Sequence, residues 1–164
     1  MESQGNASAE ELTFLRHTLA TVAYRGGKTL RGAPPSFAGF ASGPGSRTPA
    51  QILAHIGDLY DWALSIVSGN QVWIDSEPLG WEKAVERFFT ALKKFDDYLA
   101  SDALLHDSPA ALFQGPIADS LTHIGQIAMM RRMAGCPIKG ENYHRAEIVA
   151  GRVGAEQAAP RREF

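Results

Sequence analysis

Polar and apolar positions follow a helical period along most of the chain. From Ser8 onward, Leu12, Leu15, Leu19, Val22 and Ala23 recur three or four residues apart and form one apolar stripe. Ser8, followed by Glu10 and Glu11, suits a helix N-terminus, because acidic groups there meet the positive end of the helix dipole. Gly26 and Gly27 weaken the far end, so the first helix is expected to fray or stop there. A second helix is expected from Thr48-Pro49, an N-cap with proline at the first helical position. Its inward stripe is Ile52, His55 or Ile56, Leu59, Trp62 or Ala63, and Ile66, and Ser68-Gly69-Asn70 ends it. A third runs from about Trp81 to Ser101, where Val85, Phe88, Phe89, Leu92, Phe95 and Leu99 face the core and charges face away. The fourth, ADSLTHIGQIAMMRR, turns Ile117, Leu121, Ile124 and Ala128 inward and ends at Gly135-Cys136-Pro137.

The intervening segments carry no such period. The stretch from Gly32 to Arg47 is rich in Gly and Pro and holds Phe37 and Phe40. It is either a crossover that covers the bundle end with those two rings or a loop that contacts substrate. A further connection, SDALLHDSPAALF, leads through Pro116 into the fourth helix. The segment after residue 135 is polar, with one short helix expected around Ala146 to Val149, and either wraps the bundle or trails from it. Four helices and no strand-like alternation predict an all-α fold, a four-helix bundle over about residues 8–135 with a tail at 136–164, together one domain over 1–164. Bundles of this kind build ligand and metal sites between facing helices.

Composition narrows the function classes. The 45% apolar and 21% charged content is that of a globular chain, which makes disorder unnecessary. A formal charge of −2 argues against nonspecific binding of nucleic acid, which needs a clustered basic surface. Cys136 is the sole cysteine, so no intramolecular disulfide and no cysteine-rich zinc site is available. No apolar run reaches the roughly 18 residues of a membrane span, and MESQGNASAEE lacks the character of a signal peptide. A cytoplasmic location is expected.

Five histidines are the remaining chemistry. His17 and His106 are expected to be ordinary hydrogen-bonded residues. His55 and His123 each interrupt the core stripe of a helix, and Asp119 lies one turn before His123, with about 6 Å of rise between them. Asp119 and His123 therefore form either a buried hydrogen-bonded pair or two ligands of an ion that His55 completes.

The segments TPAQILAHIGDLYDWAL and DSLTHIGQIAMMRRMAG resemble the signature helices of the DinB/YfiT-like superfamily of metal-binding four-helix bundles. That family has a histidine early in its second helix and two histidines four apart in its fourth, the latter leading into Gly-Gln. His55 matches the first, and His123 with Gly125-Gln126 matches the last; Asp119 stands where the family usually has histidine. The resemblance implies a divalent metal ion (zinc, nickel, iron or manganese) held by His55, Asp119 and His123. A His-His-carboxylate set with open positions suits catalytic zinc and other first-row ions.

The resemblance further implies a thiol S-transferase that activates a low-molecular-weight thiol such as mycothiol, bacillithiol or glutathione for attack on an electrophilic small molecule. Metal-assisted hydrolysis is a variant of this, and a homodimer is expected. The competing class is a non-enzymatic stress-associated or ligand-binding bundle whose metal is structural or absent. Asp58, Tyr60, Glu141, Tyr143 and His144 are the candidates for a general base, although a solvated helix surface is the simpler expectation for Asp58. Ser120 with His123 lacks an oxyanion-hole signature. Cys136 has no cation to activate it, and Arg131 and Arg132 are expected to complement the helix dipole.

Overall fold

The computed structural model describes residues 7–164, so the first residues of the polar N-terminal stretch read above lie outside it. The described residues are helical, with four principal helices and no strand. Helix α1 (Ala9–Leu30) opens on a capping box: Ser8 Oγ accepts from Glu11 N, and Glu11 accepts from Ser8 N. Helix α2 (Pro49–Val67) opens the same way, with Thr48 and Gln51 in those roles. Helix α3 (Trp81–Leu99) has the clearest division between an apolar and a charged face. The fourth begins earlier than its apolar period suggests. Ser108 caps a first turn, α4 (Pro109–Leu112), which runs through a π turn (Phe113–Ile117) into α5 (Ala118–Met133).

Pro116 explains the π turn. Proline has no N–H for a helix hydrogen bond, and its ring crowds the carbonyl four residues back. Widening the turn takes up that mismatch without breaking the helix, so the expected connection is partly helix.

Two further corrections concern helix ends and the tail. Gly26 and Gly27 do not stop α1, which continues to Leu30 with both glycines buried. A Cβ on Gly26 would lie 2.5 Å from Phe88 Cζ and 3.3 Å from Ile124 Cδ1, so the missing side chain lets three helices approach. No helix forms at Ala146 to Val149; a 3-10 turn occupies Tyr143–Arg145 instead.

Packing sets the neighbours of each helix. Helix α1 contacts α3 and α5, and α2 contacts the same two, so α1 and α2 lie across the core from one another. The connection between them holds a 3-10 turn (Pro35–Gly39) whose Phe37 is buried against Trp81, with ring centres 5.5 Å apart. The core joins Leu19, Ile56, Phe88, Phe95, Ile124 and Ile127 in one cluster. Along α5 the buried residues are Ser120, Ile124, Ile127, Met130 and Arg131, whereas Leu121 and Ala128 of the expected stripe are only half-buried. Val153 joins the same core, and Glu141 pairs with Glu163 through a backbone bridge, which ties the C-terminal segment to itself and to the bundle. No described helix is long and apolar enough to cross a membrane.

Candidate metal centre

The contact between α2 and α5 brings together the three expected ligands. His55 comes from the N-terminal half of α2, Asp119 from the first turn of α5, and His123 from one turn later. One ligand atom from each lies within 4.8 Å of the others. Asp119 Oδ2 is 3.6 Å from His55 Nε2 and 3.5 Å from His123 Nε2. These separations are long for hydrogen bonds. They match the edge of a tetrahedron around an ion, about 3.4 Å when each donor lies about 2.1 Å from the metal. The two imidazole rings stand nearly perpendicular, at 89°, with centres 4.8 Å apart. The donor chemistry and spacing therefore fit a divalent cation.

The surroundings favour the ligating form of both histidines. His123 Nδ1 lies 2.8 Å from Gln126 Oε1. With Nδ1 donating to that oxygen, Nε2 carries the lone pair and faces the other donors. Burial lowers the pKa of His55, and the charges of Arg47 and His123 lower it further, against the opposing pull of Asp119. His55 is thereby held neutral, as ligation requires. The site stays open: the Asp119 side chain is 47% exposed, against 19% and 12% for His55 and His123. The π turn ends immediately before Ala118 and Asp119, a position at which such turns recur in functional sites.

Two cavities flank the triad on the sides of His55 and His123. The one beside His55, about 450 Å³, is polar and lined by Arg47, Gln51, Asp58 and Glu77 among others. The one beside His123, about 410 Å³, is the more apolar: Ile52, Met129, Met130 and Met133 line it together with Ser42, Ser46, Arg47 and Gln126. Trp73 stands against both His55 and Trp62, with ring centres 5.6 and 5.8 Å away.

The other candidates are engaged elsewhere. Asp58 is buried rather than solvated: it accepts from Arg87 at 2.7 Å and from Ser76 N at 2.9 Å. Its partner sits on α3, so nothing local in the sequence announces the pairing. Tyr60 is fully buried and bonded to Ser120, and burial pushes its hydroxyl pKa up, so it keeps its proton. Glu141 is buried too, accepting from Tyr24 at 2.5 Å and from Lys28 at 2.9 Å. Tyr143 lies under the Arg25 guanidinium, and His144 is exposed. His17 and His106 are also exposed, without the hydrogen-bonded burial expected of them.

Arg131 is buried and does more than complement a dipole. It donates to the carbonyls of Thr29, Arg31 and Cys136, tying the ends of α1 and α5. Sequence reasoning did not single out Arg47, Gln51, Met129 or Met133. Gln51 is one turn before His55, a same-face spacing that was available as a signal. Arg47 lies in an aperiodic segment and had none. Searches against family models, curated proteins and solved structures return no match to this chain.

Proposed function

We propose that this chain is a DinB-like metal protein that holds one divalent ion through His55, Asp119 and His123 and activates a small cellular thiol for transfer to an electrophile. The observation that carries this reading is the spacing of the three donors, too long for mutual hydrogen bonds and suited to a shared ion. A bound divalent ion supplies a Lewis-acid centre that lowers the pKa of a thiol or water at its open positions. The protein's own part is positional. Gln126 fixes the His123 tautomer, burial keeps His55 neutral, and the half-exposed Asp119 leaves one side of the site accessible. The Asp119 carboxylate also offsets one of the two positive charges an ion would bring, which three imidazoles would not do. The cavities beside His55 and His123 give a thiol and an electrophile separate approaches.

Elemental analysis after reconstitution with zinc, nickel, ferrous iron or manganese tests the first half of the proposal. The wild-type chain is expected to retain a stoichiometric ion at neutral pH and Asp119→Ala to lose it. Retention of none by the wild type defeats the reading. The second half is tested by a transfer screen with mycothiol, bacillithiol and glutathione. Turnover should vanish on chelation while the helical circular-dichroism signal persists. Loss of that signal on chelation, with no turnover from any thiol, would assign the ion a structural role instead.

A further inference from the structure

The cavity beside His123 has a composition that the metal site alone does not require. Met129 and Met133 are 58% and 53% exposed, although both are large and apolar. They lie one helical turn apart on α5 and, with Met130 and with Ile52 from α2, make an apolar wall. Methionine is flexible and polarizable, and suits a surface that adapts to an apolar ligand. At the edge of this wall stands Arg47, and no carboxylate lines the cavity with it. No ion pair among the described residues engages Arg47. The cavity beside His55 differs, since Asp58, Asp75 and Glu77 share it with Arg47. The volume beside His123, about 410 Å³, is within the range of small-molecule sites.

An apolar wall with one unpaired guanidinium at its rim selects a particular ligand. A neutral hydrocarbon would use the methionines and draw nothing from the guanidinium, which is exposed to water. A small polar anion would use the cation and leave the methionines exposed. A planar carboxylate can take two hydrogen bonds from a guanidinium, which gives orientation as well as attraction.

We propose that this cavity binds a small amphipathic carboxylate, its head on Arg47 and its apolar chain on Met129, Met130 and Met133, in reach of the triad at His123. That this ligand is the electrophile of the transfer rests on the metal reading above; that it binds here does not.

The test uses the full chain with carbon-13-labelled methionine methyl groups, the signals assigned by single Met→Leu variants. Octanoate is titrated into metal-free and zinc-reconstituted protein, with octanol and acetate as controls. Octanoate is expected to shift the Met129, Met130 and Met133 signals saturably in both states, and to bind about tenfold tighter than octanol or acetate. Arg47→Gln should bring octanoate to the level of octanol while the methyl spectrum otherwise stays in place. Met133→Gln should weaken octanoate and octanol alike. Equal binding of octanoate and octanol by the wild type overturns the proposal, as does a carboxylate preference that survives Arg47→Gln. So does the absence of shifts at all three methionines. The two readings fail separately. Protein that binds octanoate but retains no metal loses only the metal assignment. Protein that retains zinc but shows no methionine shifts loses only the cavity.

Discussion

Two polar clusters in this bundle use similar side chains in opposite ways. Around Glu141, every acceptor is answered: Tyr24 donates at 2.5 Å and Lys28 at 2.9 Å, and the Glu141 side chain has no exposure at all. Around Asp119, the nearest nitrogens stop at 3.5 and 3.6 Å and the carboxylate is half open to water. The first cluster is closed because a buried charge without partners is costly, so its partners come close. The second brings three donor atoms within 4.8 Å of one another at separations too long for ordinary hydrogen bonds. In a helical bundle, a polar cluster that satisfies itself reads as structure, and one that converges without satisfying itself reads as a place for something else.

Substitution should separate these roles. Glu141→Leu leaves the Lys28 ammonium, only 10% exposed, with no close partner except Glu163 at 3.8 Å. Denaturant unfolding should show a loss of about 3 kcal/mol, while metal retention is unchanged. Asp119→Ala should do the reverse. It abolishes metal retention, yet moves the stability of the metal-free chain by less than about 0.5 kcal/mol, because a half-exposed carboxylate without hydrogen bonds contributes little. If both variants lose metal and stability together, the division between the clusters fails.

A smaller effect tests the support behind the open site. Gln126→Ala removes the partner of His123 Nδ1 without touching a ligand atom. Loss of such an outer partner lowers metal affinity by about 10- to 100-fold, which competition with a chromogenic chelator would read. Undiminished affinity would show that His123 needs no help from Gln126 to present Nε2.

The difference between the clusters also marks what the sequence discloses. The three residues are legible because Asp119 and His123 lie four apart on one helix and His55 interrupts the stripe of another whose start Thr48-Pro49 marks. Spacing alone leaves a hydrogen-bonded pair and a metal site equally open, and only the family resemblance favours the metal. The helices themselves follow from the same periodicity. What escapes is pairing across helices. Nothing near Asp58 announces Arg87, and nothing near Glu141 announces Tyr24, because the partners lie 29 and 117 residues away. Pro116 misleads for a different reason: a proline normally marks a helix boundary, and only the π turn reveals that the helix runs through it. Gly26 and Gly27 read as weak helix because propensity is local, whereas the close packing at Gly26 is tertiary.

Those two glycines give predictions of opposite sign within the closed part of the molecule. A methyl group at Gly26 meets the fully buried Phe88 ring, so Gly26→Ala should destabilise by about 1 kcal/mol, overpacking of 1–3 kcal/mol offset by about 1 kcal/mol of helix propensity. At Gly27 the nearest atom, Phe89 Cζ, would be 3.5 Å away, an ordinary contact. Gly27→Ala should therefore raise the unfolding midpoint, with a gain of at most about 1 kcal/mol. Metal retention should be unaffected by either change.

The smallest expected effect belongs to His55 and sharpens the contrast from the open side. Burial holds its folded-state pKa below the usual histidine value, and Arg47 and His123 add to the depression. In the unfolded chain the imidazole takes its proton near pH 6.5. At higher pH both states are neutral and the group favours neither. As pH falls below that value the unfolded state gains a proton that the folded state resists, so metal-free stability declines until the folded pKa is passed. His55→Gln should flatten the slope of stability against pH in that window, by less than about 1 kcal/mol across it. Arg47→Gln should flatten it partly, because it removes one of the depressing charges. A slope unchanged in His55→Gln would mean that His55 is no more reluctant to protonate folded than unfolded. The reluctance has a counterpart in binding: the neutral imidazole is the ligating form, so a proton on His55 competes with zinc, and zinc uptake by the wild-type chain should weaken as pH falls toward the folded pKa.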